Sequence, residues 1–169
     1  VTSASQRRDS LAVDEAAKKL ISVTTRPDLL EIGRVAIAQG IENEILTETV
    51  ATPNRKKLVE AATANYFALI EGVSDSQIQE RKNLQVAAVQ LVRHLLELNR
   101  AGEAKSIVEQ LLRVASDDRM VLKTAGEVFS AVGDLKGALK VYRSLASGVP
   151  IGSEDWLIAK LGVVKCLRL

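Results

Sequence analysis

Apolar residues recur at helical spacing along most of this chain, and the stripes are interrupted by prolines, glycines and short polar runs. After a polar lead-in from Val1 to Asp9, residues Val13, Ala16, Ala17, Leu20 and Ile21 share one stripe and predict a first helix. Pro27 and Asp28 open a second helix, carried by Leu29, Ile32, Val35 and Ala36 and closed by Gly40. Ile41, Ile45 and Leu46 predict a short third. Thr52-Pro53 starts a fourth, with a capping hydroxyl followed by a proline whose missing N–H would have been unpaired anyway. Its buried face is expected from Leu58, Ala61, Ala62, Tyr66, Leu69 and Ile70, with Gly72 as its end. Ser76 and Gln79 read as a capping box for a long fifth helix bearing Leu84, Ala87, Ala88, Leu91, Leu95 and Leu98. Asn99 to Gly102 break that helix, and Ala104, Val108, Leu111 and Leu112 define a sixth. Ser116 to Asp118 cap a seventh, Gly133-Asp134 turn into an eighth, and Gly148 to Ser153 turn into a ninth. The pattern is that of an all-α chain of about nine helices.

The second half matches itself at an interval of thirty-four residues. Ala88, Leu122 and Trp156 form one series, Leu91, Ala125 and Ala159 a second, and Leu95, Phe129 and Val163 a third. Ala104 pairs with Ala138, Val108 with Tyr142, and Leu111 with Leu145. A fixed interval of this size predicts stacked helical hairpins, because one hairpin cannot cover its own apolar face and leans on a near-copy. Residues 85–118 and 119–152 are the two full units and 153–169 a half unit. Upstream of residue 84 the register fails, so 1–84 reads as an N-terminal region of drifted hairpins or a helical cap.

Within 119–152, Leu122, Ala125, Gly126, Phe129, Gly133, Ala138, Tyr142, Leu145 and Pro150 fall in the order of a tetratricopeptide repeat, and residues 85–169 resemble that family. Gly126 and Ala138 would let paired helices approach, Phe129 and Tyr142 would fill the gap beyond them, and Pro150 would stop the second helix. The unit before it places Val92 and Asn99 where the family has glycines. The resemblance implies a right-handed superhelix of antiparallel hairpins whose first helices line a concave, peptide-binding face. Here that face would carry Val86, Val89, Arg93, Met120, Lys123, Glu127, Leu157 and Leu161. The family's carboxylate clamp has Lys followed by Asn four residues on. This chain has Val89 with Arg93 and Lys123 with Glu127, which excludes the clamp.

Composition narrows the class of activity. The 169 residues are 47% hydrophobic and only 3% aromatic, a palette of Ala, Leu and Val that favours helices over twisted sheets. Lys and Arg number 23 against 21 Asp and Glu, a net charge of +2, too small for a field built to hold nucleic acid. Arg7-Arg8 and Arg55-Lys56-Lys57 are the densest basic clusters, but no aromatic residues interleave them. No apolar run is long enough to span a bilayer. The chain opens at Val1 and its single Met is Met120, so the sequence reads as part of a longer or processed polypeptide, and it indicates no compartment.

The candidate chemistry is sparse. His94, the one histidine, lacks a partner at ligand spacing and reads as a helix-surface residue. Cys166, the one cysteine, reads as core packing, and Glu44 with Glu48 as solvated acids on one helix face. No glycine pattern cradles phosphate, so no cofactor, metal or catalytic residue is expected. The last helix is apolar on more than one side, through Leu157, Ile158, Leu161, Val163, Val164, Cys166, Leu167 and Leu169. That implies continuation of the chain or a covering partner.

These readings predict a non-catalytic scaffold that binds a protein or peptide segment, without nucleic acid or membrane insertion. The alternatives are a helical targeting or regulatory arm of an enzyme whose catalytic part lies elsewhere, and self-association through the apolar last helix.

Overall fold

A computed structural model describes the backbone of residues 4–47 and 52–168 and the side chains of 13–47 and 52–168. Among these residues there are nine α-helices and no strand. The chain forms two compact units that divide between Glu71 and Gly72. Residues 72–84, grouped above with the N-terminal region, therefore fold with the second unit.

The first unit holds α1 (Ala4–Val23), α2 (Pro27–Thr47) and α3 (Pro53–Ile70), with α2 packed on both others. A Cβ on Gly33 would lie 2.5 Å from Ile21 Cγ2 and 3.4 Å from the Ala17 carbonyl oxygen, so glycine sets how closely α1 and α2 cross. Thr52 caps α3, its hydroxyl accepting from the Arg55 N–H at 3.1 Å, and the Arg55 guanidinium donates to the Ile45 carbonyl at 2.8 Å. The core is built from Ile37, Ala38, Ile45, Val59, Ala62, Tyr66, Leu69 and Ile70.

Three expectations are corrected in this unit. The helix begins at Ala4, within the polar lead-in, because polarity alone does not stop a helix when neither Gly nor Pro intervenes. Gly40 does not close a helix. It lies inside α2, where Ile37, Ile41 and Ile45 continue one apolar row past it. A helical glycine costs about 1 kcal/mol against alanine but terminates only in the left-handed region, which Gly40 does not occupy. The buried rows are also rotated: Val13, Ile32 and Ala61 are exposed, while Val59 and Thr63 are buried. The side chains of Arg7 and Arg8, and Glu48 altogether, lie outside the described residues.

The second unit holds α4 (Asp75–Glu80), α5 (Lys82–Glu97), α6 (Ala101–Val114), α7 (Arg119–Ala131), α8 (Leu135–Gly148) and α9 (Glu154–Arg168). The expected long fifth helix is two helices. Its capping box is Ser74 with Gln77, not Ser76 with Gln79. The chain breaks at Arg81 because the Gln85 amide donates to the Ile78 and Gln79 carbonyls, at 2.9 and 3.2 Å, satisfying the end of α4. Asp75 then anchors α4 to α6, accepting from Gln110 and Arg113 at 2.9 Å each; the Arg113 guanidinium holds its carboxyl below the usual value.

Helix α5 packs on α6 and α7, α7 on α6, α8 and α9, and α8 on α9. The bounds of α8 are those of α6 displaced by one thirty-four-residue interval. Helices α5 and α7 end in the same way. Asn99 (φ 59°) and Gly133 (φ 77°) both take the left-handed conformation. Arg100 N–H donates to Leu95 O at 2.7 Å, and Asp134 N–H to Phe129 O at 2.8 Å. Asn99 can replace glycine there because asparagine tolerates that region best among residues with a Cβ. Leu91, Leu95, Ala104, Val108, Leu111, Ala125, Ala138, Leu145 and Ala159 are fully buried, all of them members of the self-matching series. Truncating any one of these leucines to alanine is expected to cost about 2–5 kcal/mol.

The Tyr142 ring of α8 lies between Gly126 of α7 and Gly162 of α9. Trp156 is only half-buried, so it does not repeat the burial of Leu122, and the Lys160 ammonium lies 5.4 Å from its ring centroid. His94 is not a surface residue. It is 5% exposed, because the buried arc of α5, between α4, α6 and α7, extends from Leu91 through Val92 and His94 to Leu95.

Candidate functional site

The N-terminal turns of α7 and α9 bring their charged residues to a groove shared with Lys82 and Arg93 of α5. Asp118 precedes α7 because its carboxylate accepts from the N–H groups of Met120 and Val121, at 2.9 and 3.2 Å, filling two orphan donors. The same carboxylate accepts from the Lys82 ammonium at 2.7 Å, so it fixes the head of α5 to the head of α7. Burial of Asp118 acts to raise its pKa. The Lys82 hydrogen bond and charge and the two backbone donors outweigh it, holding the carboxyl below its usual value.

The next junction is looser. Asp155, in the first turn of α9, lies 3.7 Å from the Lys123 ammonium and 4.0 Å from the Arg119 guanidinium. Arg93, exposed on α5, reaches the Gln90 side-chain oxygen at 3.4 Å and, among the described residues, no carboxylate. Together with Met120 these residues line an open groove of about 340 Å³: Lys82, Arg93, Asp118, Arg119, Met120, Lys123 and Asp155. Four cations face two carboxylates there. The lining holds no histidine, cysteine or hydroxyl side chain.

Of the residues expected on the concave face, the groove gathers Arg93, Met120 and Lys123. Val86 is 38% exposed outside it, and Val89 is 1% exposed and part of the core. Glu127 is exposed but does not line the groove, and Leu157 and Leu161 stand 56% and 55% exposed on α9. Sequence reasoning missed Lys82, Asp118, Arg119 and Asp155. Asp118 and Asp155 each lie near the start of a first helix, and their pairing with a cation on the preceding first helix was the available signal.

The remaining candidates lie elsewhere. Cys166 is half-buried on α9, and among the described residues no group of His, Cys, Asp and Glu is placed to hold a metal ion. Lys56 lies 4.0 Å from Glu60, and Glu44 is exposed. No helix of the described residues is long and apolar enough to cross a membrane. Leu157, Leu161, Val164 and Leu167 leave α9 with an exposed apolar face; Leu169 lies outside the described residues.

No protein family, no curated protein and no solved structure matches the chain.

Proposed function

We propose that this chain is a non-catalytic helical-repeat module of tetratricopeptide type, presenting a groove to a segment of another protein. The observation that carries this reading is the groove itself. Arg93 comes from the first helix of one unit, Met120 and Lys123 from the next and Asp155 from the third, all on one surface. The common bounds of α6 and α8, and the matching terminations of α5 and α7, support reading these units as copies in equivalent poses. A preformed groove on rigid helices binds without first ordering a loop, which lowers the entropic cost of association. Affinity capture with the wild-type chain, Lys123→Glu and Arg119→Glu, both in the groove lining, tests the reading. Loss of captured proteins from either variant supports it, and a bound set unchanged in both argues against this face.

Self-association through α9 is the second reading, favoured by the exposed face of Leu157, Leu161, Val164 and Leu167. A mass that rises with concentration in the wild type and stays monomeric in Leu161→Asp supports it; a constant monomer mass removes it.

A further inference from the structure

We propose that the segment taken by this groove is an internal acidic stretch, whose carboxylates bind Arg93 and displace Asp155 from Lys123 and Arg119. The proposal rests on the groove reading above and adds the chemistry of the occupant.

Two kinds of ion pair line the site. Lys82 and Asp118 form a tight pair at 2.7 Å, and Asp118 is held further by two backbone N–H groups, so this pair is neutral and closed. The other cations are underpaired. Arg119 and Lys123 share one carboxylate, Asp155, at 4.0 and 3.7 Å, both beyond good hydrogen-bond distance. Arg93 reaches a neutral amide oxygen alone. Three cations thus face one loosely held acid in a groove of about 340 Å³, room enough for side chains of an extended segment. An incoming carboxylate at Arg93 gains a charge-assisted hydrogen bond, and a second exchanges with Asp155 at little cost because the existing pair is long, at 3.7 Å. Nucleic acid fits less well. The lining has no aromatic platform on which bases could stack.

Asp155 makes the test two-sided. It competes with the ligand, so Asp155→Asn tightens binding of the acidic probe by about threefold, the size of an exposed ion pair, whereas Arg93→Glu weakens it by about tenfold. A role in packing alone would not produce a gain. The probes are end-blocked synthetic peptides of one length, made of Glu and Ser, Gln and Ser, or Lys and Ser, together with a single-stranded oligouridylate. They are read by fluorescence anisotropy on the full chain, with circular dichroism of each variant as the check on folding. Tightest binding of the Glu peptide, weakened by added salt and shifted in opposite directions by the two variants, supports the proposal. Equal binding of the Gln or Lys peptide, or no gain with Asp155→Asn, overturns the acidic occupant and leaves the groove reading standing. Tighter binding of oligouridylate overturns it in favour of a phosphate backbone. Absence of binding by every probe also overturns it, and the captures with Lys123→Glu and Arg119→Glu then decide whether the groove reading falls too.

Discussion

The ring of Tyr142 occupies the space that a methyl group on Gly162 would need, with Cδ2 2.5 Å from that position. Its opposite edge, at Cε1 and Cζ, stands against Gly126 in the same way. The ring is thus flanked by a glycine on each edge. Gly126→Ala and Gly162→Ala are each expected to destabilise the chain by about 1–3 kcal/mol in urea unfolding, the usual size of overpacking. In a Tyr142→Leu background the same alanines should cost markedly less. An unchanged cost there would mean that the ring is not what the glycines accommodate.

Asn99 and Gly133 hold the same backbone conformation at equivalent turns, and their substitutions should behave accordingly. Asn99→Ala and Gly133→Ala are each expected to lose about 1 kcal/mol, while Asn99→Gly holds stability within about 0.5 kcal/mol. Thermal unfolding of the three variants checks the ordering. A neutral Asn99→Ala would contradict a left-handed Asn99.

Asp118 gives a pH signature. Its folded pKa lies below the ordinary 3.8, so its charge contributes stability fully above that value, and the contribution is lost as pH falls through the depressed folded value. Asp118→Asn keeps a good cap without the titrating charge, so the stability gap between wild type and variant should close as pH is lowered from neutrality. Asp118→Ala should cost about 1 kcal/mol at every pH from loss of the cap, beyond whatever the charge adds. A gap between wild type and Asp118→Asn that is independent of pH would remove the Lys82 pair as its source.

The hydroxyl of Thr124, fully buried in α7, has no hydrogen-bond partner. Thr124→Val removes that desolvated group at nearly constant volume and is expected to stabilise the chain by about 1 kcal/mol in urea. Destabilisation would show that the hydroxyl is satisfied in solution.

Val86 and Val89 separate surface from core within one turn of α5. Val86→Asp should change stability by less than about 0.5 kcal/mol, and Val89→Asp should cost more than about 3 kcal/mol or abolish folding, as read by circular dichroism.

The second unit was the more legible in sequence because its helix ends carry local signals. Asp118, Gly133-Asp134 and Pro150 announced boundaries the fold keeps, and the positions repeated every thirty-four residues include most of its fully buried side chains. The break at Arg81 was not legible, since the amide that stabilises it, on Gln85, comes from the following helix. Burial of His94 was hidden for a related reason: α5 is covered by several helices, so its core arc is wider than the apolar stripe. In the first unit the apolar rows were too broad to fix a rotation, and Gly40 offered a stop signal without the backbone conformation that makes one. Of the groove, Arg93, Met120 and Lys123 were anticipated. Its other lining residues sit at helix starts, where acids and bases are common for capping alone.

Because the Tyr142 ring belongs to α8 while both of its seats belong to neighbouring helices, three positions on three helices are bound to one another. A segment exchanged for α7 or for α9 must bring glycine to the seat it carries, or Tyr142 must be replaced. Recombination at the boundary of a unit is therefore not free, and the compatible junctions can be enumerated from these three residues.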